Sequence, residues 1–366
     1  MYDYLVVGAG LFGATFSRLM TDAGKRCMVI DKRKHIGGNV YTENINGIDV
    51  HKYGPHIFHT SNDEIWDFVN KFTKFNSYTH RVKAFNNGKF YTLPFNLKTF
   101  NEIANIRSVE QLKGMIEFWN SEPRSGDNLE SWAKSQVGKD VYKTLIKGYT
   151  EKQWGKPATE LPSFIIKRLP IRFSFEDNYF NDKYQGIPIN GYTQMIRNLL
   201  DGIPVLLNTP YEHELSKRAK KIVYTGPIDE FFFHDLGKLG YRSLDFLEEE
   251  YDTNMYQGCA QINYTNSLVP HTRTIEHKHF TPERKDKQEF TIVTREYPLK
   301  TGEPYYPIND DANNSLFKKY KERALEQRPD VIFAGRLGNY QYYDMHQVIG
   351  QAMKYAKLEK ERKTNN

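Results

Sequence analysis

The sequence predicts an α/β protein in which a parallel, nucleotide-binding sheet carries two insertions, an α-helical lobe and an antiparallel β-sheet domain. Three observations support this. Tyr4-Leu5-Val6-Val7 is an apolar run that breaks into Gly8-x-Gly10-x-x-Gly13, followed by a helical pattern (Ala14, Phe16, Leu19, Met20) and a second apolar run, Cys27-Met28-Val29-Ile30. Short apolar runs return late in the chain, at Lys221-Ile222-Val223-Tyr224 before Thr225-Gly226-Pro227, and from Val331 to Arg336. Between them the pattern is helical over about 97–150 and mostly strand-like from Tyr241 to Tyr297.

The glycine loop has a specific physical reading. The first glycine permits the tight turn, the second lets a pyrophosphate approach the backbone, and the third lets helix pack on strand. Asp31 closes the second run roughly 20 residues later, where a ribose hydroxyl needs an acceptor. Together these make a Rossmann-like unit. The following Lys32-Arg33-Lys34-His35-Ile36-Gly37-Gly38-Asn39 is a basic loop ending in a glycine pair. Arg33 there can reach a phosphate, and the pair lets the backbone approach a cofactor, although a solvated turn fits the same spacing.

Asn46-Gly47 marks a turn, and Gly54-Pro55-His56-Ile57-Phe58-His59 is a loop whose two histidines have no further His or acid at metal-ligand spacing, so no metal is expected. Ser61-x-x-Glu64 reads as a capping box for a helix with Ile65, Phe68, Val69 and Phe72 on one face. The period then becomes two: Arg81 to Phe85 and Lys89 to Leu93 flank Asn87-Gly88, a hairpin signal. Ser108-x-x-Gln111 caps a helix with the stripe Leu112, Met115, Ile116 and Trp119, and further helical stretches run through Leu129 to Ala133 and Val141 to Ile146. An aromatic segment lacking periodicity, Arg168 to Pro188, reads as a lid or binding loop. Asn190-Gly191 opens another helix, Pro204 to Leu207 is a strand, and Ser315 to Glu326 and the Val348 to Ala356 segment are helices.

Composition narrows the classes. Hydrophobic residues make up 39% and charged residues 26% of 366, as in a folded globular chain, and no apolar stretch approaches a membrane span or a secretory leader. A net charge of +6 without a long Lys/Arg stripe favours a phosphorylated or acidic ligand over nucleic acid. Two cysteines build neither a disulfide framework nor a thiolate cage, so a reducing, cytoplasmic setting is expected. The 25 Tyr and 23 Phe supply flat, amphipathic surfaces for rings and sugars as well as core.

The chain resembles the bacterial UDP-galactopyranose mutases. The likeness rests on the glycine loop, on Asp31-x-Arg33-x-His35-Ile36-Gly37-Gly38-Asn39, on Gly54 to His59, and on Gly148-Tyr149-Thr150-Glu151-Lys152-Gln153-Trp154-Gly155. It continues through Asp177-Asn178-Tyr179-Phe180, Thr225 to Asp229, Glu276-His277-Lys278, Tyr305-Tyr306-Pro307, Gly335-Arg336-Leu337-Gly338 and Tyr342-Tyr343-Asp344-Met345. The resemblance implies a Rossmann-like FAD-binding domain from 1–80, 190–230 and 310–366, a helical lobe at 95–160, and an antiparallel sheet domain from 81–94, 161–189 and 231–309, with a mobile substrate loop near 164–184. It implies interconversion of UDP-galactopyranose and UDP-galactofuranose, with N5 of reduced FAD as nucleophile at the anomeric carbon, a flavin iminium intermediate and no net redox change. It also implies a homodimer and a role in surface polysaccharide synthesis.

Residue by residue, the resemblance assigns Arg168 and Arg273 as pyrophosphate clamps and His56 as a histidine beside the flavin. Tyr149, Thr150, Trp154, Tyr179, Phe180, Tyr306, Tyr342 and Asp344 fall to the substrate. Gly8, Gly10, Phe12, Gly13, Asp31, Lys32, Gly38, Asn39, His56, Arg336, Tyr343, Asp344 and Met345 fall to the cofactor. His80 stands where some relatives have an Asn near the sugar, and is not assigned. The absence of Gly-x-Ser-x-Gly, His-Glu-x-x-His or a Cys pair suits a cofactor nucleophile. Two other readings share the glycine loop: a flavin amine oxidase or desaturase, and a flavin-free binding protein of the Rab GDP-dissociation inhibitor kind.

Overall fold

The computed structural model describes residues 1–124, 126–167, 170–284 and 288–361. The chain divides into two compact units: residues 1–77, 182–241 and 304–366 form the first, residues 78–181 and 242–303 the second.

The first unit is built on a five-stranded parallel sheet in the order Val331–Phe333, Ala219–Tyr224, Tyr2–Val7, Cys27–Ile30, Val205–Leu206. Leu5, Val6, Val29, Ile30 and Val223 are fully buried, as expected of parallel strands covered on both faces. Val6 aligns with Val29 on one side and Val223 on the other. The chain leaves Tyr2–Val7 in one direction and returns on its far side with Ala219–Tyr224, so the strand order reverses there. The carboxyl ends of those two strands therefore open the crevice where such sheets bind ligands.

Helix Leu11–Asp22 packs on the final helix, Met345–Glu361. Phe12 stacks on Phe16 at 6.3 Å and meets the edge of Tyr355 at 5.9 Å. The final helix is tied to the sheet at its far end, where the buried Glu359 carboxylate accepts from Tyr4 Oη at 2.9 Å and Lys221 Nζ at 2.7 Å.

The second unit joins helices and sheet in one core, where separate helical and sheet pieces were expected. Val82, Ala84 and Leu93 of the hairpin bury together with Phe100, Leu112, Leu129, Val141 and Leu145 of the helices. Neither face covers its apolar residues alone. Within this unit the strands run Tyr241–Tyr251, Thr291–Leu299, Arg273–Glu276, Gln261–Tyr264, Val82–Asn86, Lys89–Leu93. Pairing is antiparallel except between Gln261–Tyr264 and Val82–Asn86, which run parallel. The sheet is thus mixed, because a hairpin from early in the chain enters beside a strand from late in it.

Local signals held with small shifts. Ser108 caps its helix by accepting from Gln111 N at 3.1 Å. The helix expected to start from Ser61 instead has Asn62 as its cap, accepting from Ile65 N at 2.9 Å, while Ser61 Oγ donates to Asp182. The last strand stops at Phe333, and Gly335–Gly338 is a helical turn.

Candidate functional site

The glycine loop lies at the end of the central strand of the first unit. Gly8 has φ +110°, and a Cβ there would fall 2.0 Å from Thr225 Oγ1. A Cβ on Gly13 would sit 1.9 Å from Gly8 O, so the third glycine is required by the helix–strand approach. Gly10 caps helix Leu11–Asp22 without any side-chain acceptor, leaving the first-turn N–H groups aimed out of the helix as an anion site. Asp31 braces the loop: one carboxylate oxygen accepts from Ala9 N and the other from Arg33 N, both at 2.8 Å. Its expected ribose contact therefore shares a carboxylate already engaged by two backbone donors.

The glycine pair meets this loop. Gly37 N donates to Ala9 O at 2.9 Å, and a Cβ on Gly38 would lie 3.1 Å from Gly10 Cα. Arg33 donates to Asn39 Oδ1 at 3.0 Å, with its guanidinium 4.4 Å from the Tyr53 ring centre. Lys32 is exposed. His56 Nδ1 donates to Gly54 O at 2.8 Å, since a carbonyl can only accept. The Phe12 ring, assigned to the cofactor, is 3% exposed and occupied by helix–helix packing.

On the opposite wall of the same unit, Thr225 Oγ1 donates to Val7 O at 2.7 Å and Gly335 adopts φ +76°. Arg336 donates to Tyr305 O at 2.9 Å and lies 5.0 Å from the Tyr342 ring, and its Nε is buried without a partner. Tyr342 stacks with Tyr306 at 5.5 Å. Tyr343 is half-buried, and Asp344 begins the final helix ahead of Met345, its N–H donating to Gln347 Oε1 at 2.9 Å. Two close-approach glycine loops, an open helix N-terminus and an unpartnered guanidinium N–H fit a dinucleotide.

The second unit holds the other residues assigned to the substrate, Tyr306, Tyr342 and Asp344 being in the first. Arg273 stands opposite Glu296 in register, Nη2 to Oε1 at 3.0 Å, with Glu296 1% exposed. Burial holds the Glu296 carboxyl above the ordinary range, partly offset by the Arg273 charge. Tyr149, Thr150 and Trp154 lie on helix Gly148–Trp154, Thr150 buried and Trp154 packed on the core. That helix is pinned by Lys152, whose ammonium donates to the carbonyls of Tyr264, Val269 and His271 and is pushed down to about 8 by burial. Gln153 beside Trp154 is buried with both amide atoms unpartnered, a candidate ligand contact that sequence reading missed. Arg168 lies outside the described residues.

Tyr179 and Phe180 are held edge to face at 5.4 Å. Behind them is His80, 3% exposed, its ring stacked on Phe180 at 5.7 Å and its carbonyl accepting from Tyr179 N at 2.8 Å. The segment's organiser is Arg172, which sequence reading passed over. Its guanidinium donates to the carbonyls of Glu176, Asn178 and Phe180 and to Asn181 Oδ1. Arg172→Met is expected to raise the rate of limited proteolysis within residues 173–181 by roughly 10-fold or more, since bonds from a charged donor contribute roughly 1.5–3 kcal/mol each. An unchanged nicking rate would show that the segment is held by other contacts.

The Glu276-His277-Lys278 motif is structural. Lys278 Nζ donates to the carbonyls of Asn254, Gln288 and Phe290, and His277 Nε2 bonds Thr294 Oγ1 at 2.7 Å. Burial opposes ionisation of Glu276, but bonds from His279, Gln257 N, Tyr256 N and Thr291 outweigh it and hold the carboxyl down at about 2. Its folded value lies below the unfolded value of roughly 4.3, so its stabilisation is present above that pH and is lost as pH falls towards 2. Acid titration of unfolding free energy should show a component on the order of 2 kcal/mol in that window, missing from Glu276→Gln.

The UDP-galactopyranose mutase family profile matches residues 144–342, and that of an NAD(P)-binding Rossmann-like domain matches residues 6–72. The chain is 41% identical over 363 residues to a probable UDP-galactopyranose mutase of Klebsiella pneumoniae, covering 97% of this chain and 94% of the relative. It is 39% identical to a dTDP-fucopyranose mutase of Escherichia coli, with 98% of each covered. Its fold matches a crystal structure of reduced UDP-galactopyranose mutase with a TM-score of 0.75 at 12% identity, covering 97% of this chain and 95% of that one. No helix among the described residues is long and apolar enough to cross a membrane.

Proposed function

Because the chain belongs to the UDP-galactopyranose mutase family, we propose that it interconverts UDP-galactopyranose and UDP-galactofuranose on a bound FAD that works in its reduced state. The observation that carries this reading is the full-length identity of 41% to a probable mutase. The cradle of Gly8, Gly10, Gly13, Gly37 and Gly38, with the first-turn N–H groups of helix Leu11–Asp22, would hold the FAD pyrophosphate. When bound, reduced FAD supplies the nucleophile for the anomeric carbon, so no side chain has to do so.

The chain's own residues bind, orient and manage charge. Arg273, oriented by Glu296, would take the substrate pyrophosphate and stabilise UDP as it leaves. Arg168 is its partner by resemblance. Tyr149, Trp154 and Phe180 offer faces for uracil and sugar, and Tyr179, Tyr306 and Tyr342 offer hydroxyls for phosphate. His56, its ring held through Nδ1 by Gly54 O, would stand near the flavin's reactive edge. A cytoplasmic homodimer feeding surface polysaccharide synthesis completes the reading.

A second substrate is favoured by one observation, the nearly equal identity to the dTDP-fucopyranose mutase. The two differ in the nucleotide and in the sugar's 6-hydroxyl. Comparing kcat/KM of the reduced enzyme on UDP-galactofuranose and dTDP-fucofuranose decides between them. The proposal requires the UDP sugar to win, and a preference for the dTDP sugar would transfer the assignment. Stoichiometric hydrogen peroxide release on an amine under air would instead support the oxidase reading.

A further inference from the structure

His59 meets Asp344 and His346 within the first unit although it is far from both in the chain. One ligand atom from each lies within 4.8 Å of those of the other two. His59 comes from strand Phe58–Thr60, while Asp344 and His346 flank the start of the final helix. The two imidazoles meet edge to face at 69° with centres 5.1 Å apart, so they do not stack. His346 Nδ1 is buried and has no hydrogen-bond partner. Nδ1 of His59 donates to Asp182 Oδ2 at 2.7 Å, and Asp182 is steadied by Ser61 Oγ at 3.0 Å. That bond commits Nδ1, so Nε2 is the nitrogen a metal would take, and it supplies the carboxylate behind the imidazole that commonly supports a metal-ligating histidine.

We propose that these three side chains bind one divalent transition-metal cation of the zinc class. Two neutral imidazoles and a carboxylate match the ligand preferences of Zn²⁺, Co²⁺ and Ni²⁺, whereas Mg²⁺ and Ca²⁺ require oxygen-rich sets. Metal–ligand distances of roughly 2.0–2.2 Å place tetrahedral ligand atoms roughly 3–4 Å apart, a closure that side-chain rotation can supply. The ion would join the loop carrying His56 to the turn carrying Tyr342 and Asp344. Sequence spacing concealed the set because His56, the histidine near His59 in the chain, is not part of it.

Equilibrium dialysis of the flavin-loaded, tag-free chain against Zn²⁺, with Mg²⁺ as control, tests this. The expected result is one Zn²⁺ per chain and no stoichiometric Mg²⁺. His346→Gln should weaken Zn²⁺ binding at least roughly 10-fold, and Asp182→Asn, which removes the negative charge behind His59 and changes no ligand, roughly 10- to 100-fold. Co²⁺ substitution into the wild-type chain should give visible absorption of a low-symmetry site with nitrogen ligands, a readout independent of whether a variant folds. Absence of stoichiometric Zn²⁺ binding, binding unchanged in His346→Gln, or a Co²⁺ spectrum like that of the hydrated ion would each overturn the proposal.

Discussion

Arg273→Ala is expected to lower turnover roughly 100-fold or more and to destabilise the second unit by about 3–5 kcal/mol. The first effect is the loss of a charge-assisted bond to a leaving pyrophosphate. The second arises because Glu296, 1% exposed, is left as a buried carboxylate without its cross-strand cation. The two effects separate experimentally. Arg273→Met combined with Glu296→Gln removes the uncompensated charge, and should recover most of the stability and none of the turnover. pH gives a further check, because the Glu296 carboxyl is already raised by burial and loses the opposing Arg273 charge in the variant. A raised folded pKa contributes stability below the unfolded value that is lost as pH rises, so the alanine variant should lie closer to wild type in acid than at neutrality. Equal destabilisation at both pH values would mean that Glu296 is not the source.

Gly13→Val is expected to abolish flavin retention. A Cβ at this position would lie 1.9 Å from Gly8 O and 3.1 Å from Val6 Cγ1, so helix Leu11–Asp22 must move off the central strand and its N-terminus leaves the cradle. The purified variant should be colourless and should not take up added FAD, whereas Gly114→Ala, with open space around its Cβ and no left-handed backbone, should retain the flavin. A yellow Gly13→Val preparation would contradict the assignment of this loop.

The parts of the molecule that sequence made readable are those encoded locally. The glycine loop, the Asn87-Gly88 hairpin and the Ser108 cap each depend on residues a few positions apart, and each occurs where the pattern implies. The Asn62 cap shows the resolution of such reasoning: Ser61 and Asn62 are both good acceptors, and the choice fell to Asn62 while Ser61 bonds Asp182. Long-range choices were hidden. Alternation within Val82–Asn86 does not reveal that its neighbour Gln261–Tyr264 runs parallel to it. Arg172 acts on backbone carbonyls, which carry no side-chain signature, and Phe12 lies within the glycine motif yet turns its ring into the core. The site residues named from resemblance are spread over both units, and those described fall on strand ends, helix termini and one arginine-held segment.

The most direct measurement is to incubate the dithionite-reduced, FAD-loaded protein anaerobically with UDP-galactofuranose and to follow nucleotide sugars by chromatography. The account predicts conversion to UDP-galactopyranose over many turnovers with no change in flavin redox state, and little conversion by the oxidised protein. FAD-bound, reduced protein that leaves UDP-galactofuranose unchanged, or that consumes one reducing equivalent per product, would contradict it.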